Sequence, residues 1–173
     1  MVKKYDLFET DRLYLKATDL ADSKLLLELL NTPKWIRFIG DRDVHDIRAA
    51  KQYIQDRMLP QYERLGYGNY CMIRKQDETS LGFCGLYDRD GLDSVDVGFA
   101  ILPAFEGQGY TFEAASFLLD FGFNTLNLSM IQGITAKDNI ASQRLLEKLG
   151  LESKGTVFLP DDTEETILYQ KTI

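Results

Sequence analysis

A mixed α/β fold in one domain spanning residues 1–173 is what this sequence predicts, with a mostly antiparallel sheet flanked by helices and one parallel strand pair. Three observations carry the prediction. Three short strand patterns follow one another between residues 69 and 102. Stretches with apolar residues at helical spacing lie before and after them. The turn Gly107-Gln108-Gly109 separates the third strand from a helix, and the strand that follows this helix should run parallel to the one before it.

Arg12 to Lys16 alternates Leu13 and Leu15 with polar residues, a short strand. Asp19 or Asp22 caps a helix running through Leu30, which Asn31-Thr32-Pro33 ends. Asp43 to Leu65 places Ile47, Ala50, Ile54 and Met58 on one helical stripe, with Pro60 set to break it near the end. Asn69 to Lys75, Leu81 to Asp88 and Ser94 to Leu102 read as strands. The polar turns Gln76–Thr79 and Asp88–Gly91 separate them, so an antiparallel meander is expected. Tyr110 to Thr125 is a helix with the stripe Phe112, Ala115, Leu119, Phe123. Met130 to Ala136 is a strand and Asn139 to Leu149 a helix stopped by Gly150. Leu151 to Phe158 and Thr166 to Lys171 complete the sheet.

Composition narrows the function. A 173-residue chain with 45% hydrophobic and 27% charged residues is an ordinary globular sequence. No apolar run is long enough to cross a bilayer, and Lys3-Lys4-Tyr5-Asp6 does not open a signal peptide, so a cytoplasmic location without membrane attachment is expected. Cys71 and Cys84 lie in apolar strand patterns and read as buried free thiols. His45, in a polar stretch, reads as a surface residue, and no metal-ligand spacing occurs. A net charge of −7 argues against a nucleic-acid partner and is compatible with a cationic one, although acidity also serves solubility alone.

The glycine turn is the first feature with chemistry. Amides at the start of a helix lack internal acceptors, and the helix dipole adds about half a positive charge there, an arrangement suited to phosphate. Neither a third dinucleotide-motif glycine nor a Walker lysine follows, since Phe112 occupies the third position. In the preceding strand, Val95, Val97, Phe99 and Ile101 share one face while Asp96, Gly98 and Ala100 share the other. Two very small residues beside a carboxylate imply that something packs close to this second face, whether a ligand or a neighbouring element.

Val95-Asp96-Val97-Gly98-Phe99 followed by Pro103 through Ala114 resembles motif A of the GNAT N-acetyltransferases, and Asn139 through Leu151 resembles their motif B. Glu9 through Lys16, with Asn31-Thr32-Pro33, is similar to the branch that acetylates ribosomal-protein N-termini. The resemblance implies acetyl-CoA as co-substrate, no metal, and an amine-bearing acceptor, either a protein N-terminus or a small cationic molecule. It is compatible with a homodimer. It implies that the strands near Ile101 and Met130 splay apart. The pantetheine arm would then pair with strand groups near Phe99 and Ile101, and the pyrophosphate would rest on Gly107, Gln108, Gly109, Tyr110 and Thr111. Ala104 departs from the usual Arg or Gln of that motif.

By the same resemblance, Asp96 stands where histone-acetylating relatives place a glutamate base and, being shorter, would act through a water. Ser142, three residues after Asn139, matches a serine near the sulfur and would donate a hydrogen bond to the departing thiolate. Many relatives carry a Tyr where this chain has Leu146. Other uses of these residues stay open: Asp96 as a loop-fixing carboxylate, Asn139 and Ser142 as helix-capping residues, and Tyr110 as an aromatic beneath the loop instead of over the pyrophosphate. Two further functions also stay open, a catalytically silent CoA-binding regulatory or interaction module and a mononucleotide binder using the same turn.

Overall fold

The computed structural model describes residues 5–160 and 162–173. Among the described residues eight strands form one sheet: β1 (Leu7–Glu9), β2 (Leu13–Ala17), β3 (Asn69–Arg74), β4 (Thr79–Tyr87), β5 (Asp96–Ile101), β6 (Met130–Thr135), β7 (Glu152–Val157) and β8 (Thr166–Thr172). Their order across the sheet is β1-β2-β3-β4-β5-β6-β8-β7. All neighbours are antiparallel except β5 and β6. The expected meander and parallel pair are both present.

The described residues also form six α-helices: α1 (Ser23–Leu30), α2 (Pro33–Phe38), α3 (Ile47–Tyr53), α4 (Leu59–Leu65), α5 (Tyr110–Asn124) and α6 (Ile140–Lys148). Two departures from the sequence reading have local causes. Thr32 does not only end α1. Its side chain accepts the Trp35 amide at 3.3 Å, and Pro33 supplies a preset φ at the first helical position, so α2 begins at once. The expected long helix over residues 43–65 is three pieces. Asp46 caps α3 by accepting from the Ala49 amide at 2.7 Å. Ile54–Met58 then widens into a π-helical turn, in which the Leu59 amide reaches Ile54 O. Pro60 has no amide to return to the Asp56 carbonyl, and the wider turn absorbs that loss. The short edge strand β1 was not foreseen.

The sheet separates two apolar layers. On one face α5 buries Ala114, Ala115, Leu118 and Leu119 against Val97, Leu86 and Ile131. Contact is close: a Cβ on Gly122 would sit 2.6 Å from Ile131 Cδ1. Phe112 of the expected stripe is half-buried, and its ring lies 4.2 Å from Lys148 Nζ. On the other face α1, α3 and the π turn pack on Cys71 and Phe83. Cys71 and Cys84 therefore face opposite layers, both free and both buried, and burial pushes each thiol up to about 12. His45 is exposed beside Asp43. No helix among the described residues is long and apolar enough to cross a membrane.

Candidate active site

β5 and β6 share a single bridging pair, Asp96 with Gln132. The Gln132 amide donates to Val95 O at 2.9 Å, while the Leu102 amide points the opposite way, to Leu81 O at 2.8 Å. Peptide groups alternate sides along a strand, so those of Phe99 and Ile101 face the gap beyond the pair, as does that of Ile134 from β6. The two strands thus form a V whose apex is Asp96–Gln132. Its arms carry backbone donors and acceptors that neither strand satisfies for the other.

The glycine turn lies at the open end. A 3₁₀ turn over Pro103–Phe105 follows β5, and Gly107 and Gly109 take φ of +72° and +82°, left-handed values that favour glycine. The first hydrogen bond of α5 runs from the Glu113 amide to Gly109 O at 3.1 Å, so the amides of Tyr110, Thr111 and Phe112 precede the helical ladder. Gly107, Gln108 and Gly109 are exposed. Tyr110 is 7% exposed: its side chain lies under the loop, with the Arg12 guanidinium 4.3 Å above the ring.

Arg12, to which no role was assigned from sequence, braces this turn from the β1–β2 hairpin. It donates to Glu113 Oε2 at 2.7 Å through Nε and to Gln108 O at 3.0 Å through Nη1. Glu113 also accepts from Thr10 Oγ1 at 2.6 Å and the Arg12 amide at 2.7 Å. Burial works to raise the Glu113 pKa, and these hydrogen bonds outweigh it, holding the carboxyl below its usual range.

The loops leaving the two arms are spanned by α2. Lys34 Nζ lies 2.6 Å from Glu106 Oε2 on the β5 side, and Arg37 Nη2 lies 3.0 Å from Asp138 Oδ2 on the β6 side. Three residues of helix cover about 4.5 Å, so one turn of α2 addresses both arms. Beneath it is a cavity of about 340 Å³ whose lining includes Phe38, Asp138, Asn139 and Ala141. Asn139 caps α6, accepting the Ser142 amide at 3.3 Å, and Ser142 is half-buried in the first helical turn.

Asp96 sits at the apex with only 1% of its surface exposed. Its carboxylate meets Arg89 of the β4–β5 loop, at 3.0 Å from Nε to Oδ1 and 3.4 Å from Nη2 to Oδ2. Burial raises the Asp96 pKa and the guanidinium opposes the rise. The close-packed neighbour that Gly98 implied is Tyr87, since a Cβ at Gly98 would meet its ring at 2.6 Å. Tyr87 donates its hydroxyl proton to Asn69 Oδ1, and Asn69 Nδ2 donates to Thr18 Oγ1 at 2.7 Å. Gln132, 1% exposed, fixes the loop end by accepting the amides of Asp93 and Ser94 at 3.1 and 3.2 Å. Among the described residues no three His, Cys, Asp or Glu side chains gather as a metal site would require.

A strand pair parted beside a helix-initiating glycine turn is the arrangement that motif A implied, and the family profile of the acetyltransferase (GNAT) domain matches residues 12–152. The chain belongs to the GNAT acetyltransferase family. An uncharacterized N-acetyltransferase of Bacillus licheniformis, p20, is 27% identical over 149 residues, covering 84% of this chain and 82% of the relative. An acetyltransferase from Agrobacterium tumefaciens superposes with a TM-score of 0.82 at 20% identity, covering 100% of this chain and 98% of that one. RimL, a ribosomal-protein alpha-N-acetyltransferase solved with coenzyme A, superposes with a TM-score of 0.80 at 18% identity over 96% of this chain and 98% of its own. GNAT membership makes the chain an acyltransferase, and at these identities the two structures establish the shared fold.

Proposed function

We propose that this GNAT enzyme transfers the acetyl group of acetyl-CoA directly to a primary amine within a ternary complex. The observation that carries the reading is the interrupted strand pair, joined at Asp96–Gln132 alone, with the peptide groups of Phe99 and Ile101 turned into the gap above an exposed glycine turn. From Asp96 to Ile101 the β5 arm spans about 16 Å, a track along which a pantetheine arm would pair as an added strand. The amides of Gly107, Gln108, Gly109, Tyr110 and Thr111 would hold the pyrophosphate. The acyl end would then approach the apex, with Asn139 and Ser142 on the β6 side.

An alkyl ammonium has a pKa near ~10 and must lose a proton before it attacks. In this reading Asp96 receives that proton through a water, and the amine nitrogen bonds to the thioester carbon. The carbon–sulfur bond then breaks, and the thiolate, steadied by the Ser142 hydroxyl, takes the second nitrogen proton. Ionised Asp96 is regenerated by loss of its proton to solvent. The net charge of −7 favours approach of a cationic acceptor, a protein N-terminus or a small polyamine-like molecule.

Thermal unfolding with acetyl-CoA, free CoA, ATP and NAD tests the cofactor. At a hundred times the dissociation constant, bound ligand adds ~2.7 kcal/mol of stability. The two CoA species should raise the midpoint and the two nucleotides should not. No rise with either CoA species would contradict the reading, whereas a rise without acetylation of any amine would contradict the transfer step.

A further inference from the structure

Arg89, in the β4–β5 loop, lies along the carboxylate of Asp96, seven residues further on at the apex of the V. The two side chains differ sharply in exposure, 2% for Asp96 and 40% for Arg89, so the pair presents its cationic edge to solvent and keeps its anion inside. We infer that Arg89 is a positioning residue for acetyl transfer, holding the Asp96 carboxylate ionised and in one orientation where the strands part. The inference rests on the reading above, in which Asp96 receives the acceptor's proton.

A carboxylate this deeply buried and left alone takes up a proton, and a protonated acid has no capacity to act as a base. Burial acts in that direction at Asp96, and the guanidinium acts against it. Arg89 itself does not exchange protons near neutrality, so it contributes charge and geometry only. The neighbours from the other elements supply no competing charge. Tyr87 of β4, its ring 5.8 Å from the guanidinium, has its pKa raised by burial and stays neutral. Gln132 of β6 is an amide engaged with the Asp93 and Ser94 backbone. Tyr53 of α3 lies near enough to act electrostatically on both Arg89 and Tyr87, and it is not among the groups that act on Asp96. Two contacts also fix the carboxylate plane, which a single lysine ammonium matches in charge but not in fork geometry.

Arg89→Gln, Arg89→Lys and Asp96→Asn would be compared with the parent, each shown to be folded by calorimetric binding of CoA, because Arg89 precedes β5 and the glycine turn follows its other end. The first readout is the carboxyl ¹³C titration of Asp96, assigned by its loss in Asp96→Asn. It should move to higher pH in Arg89→Gln and stay near the parent in Arg89→Lys. The second is acetylation of a mixture of spermidine and a serine-initiated peptide, read by mass. Arg89→Gln should lower the rate by about 10²-fold near neutrality and shift the acidic limb of the pH profile upward, with CoA affinity unchanged. An unmoved carboxyl titration in Arg89→Gln overturns the inference whatever the rate does. Full activity in Asp96→Asn would instead remove the base reading on which it stands.

Discussion

Replacing Gly109 with alanine tests whether the shape of the glycine turn controls cofactor binding. Gly109 has φ +82°, where an L side chain costs about 1–2 kcal/mol. An added Cβ would also lie 3.3 Å from Arg12 Nη2. That guanidinium cannot retreat freely, because Glu113 holds it at 2.7 Å and the Gln108 carbonyl at 3.0 Å. Relief therefore comes from rotating the turn, which swings the amides of residues 109–111 out of alignment. If the rotation must be undone on binding, CoA affinity falls by about 5- to 30-fold for that 1–2 kcal/mol. Gly155→Ala is the matched control: its φ is +97°, nothing lies within 4 Å of the new Cβ, and it sits on β7 away from the turn. Isothermal titration with CoA and thermal unfolding of both variants give the answer. Gly109→Ala should lose affinity, while Gly155→Ala should lose stability alone. Equal CoA affinity in all three proteins would refute the reasoning.

Other outcomes follow from single contacts. Arg12→Leu removes the brace on Gln108 and Glu113; with a side chain 45% exposed the loss in stability should be only about 1 kcal/mol, yet calorimetry should show CoA binding several-fold weaker. Leu118→Ala, at a fully buried position between α5 and the sheet, should cost about 2–5 kcal/mol by urea unfolding. Cys71 and Cys84, with thiols pushed up to about 12, should react with Ellman's reagent at mildly alkaline pH only as fast as the protein unfolds, so thiol release during turnover reports CoA alone. Glu113, with its pKa held down in the folded state, contributes stability that is present above the ordinary carboxylate range and lost as pH falls through the lowered value; Glu113→Gln should flatten that acid limb in denaturation at a series of pH values.

The sheet order around the glycine turn was legible because β3 and β4 are short apolar runs, β5 alternates, and polar turns separate the three. The small residues opposite Val97 and Phe99 correctly announced a close neighbour on that face, which proved to be Tyr87. What escaped were features decided by distant residues or by one atom. Arg12 and Glu113 meet across 101 residues, and nothing near Arg12 foretells it. Arg89 looked like part of a polar turn, although its partner Asp96 had already been singled out, and the missing signal was the path of the loop. The π turn before Pro60 depends on a single absent amide, and α2 depends on reading Thr32-Pro33 as a start as well as a stop.

Amide hydrogen exchange with and without CoA tests the central claim most directly. Bound CoA should slow exchange at residues 107–112 and at Phe99, Ile101 and Ile134, whose peptide groups face the gap, and leave the β7 edge unchanged. Protection confined to other elements, or none at all, would contradict a cofactor site in the cleft between β5 and β6.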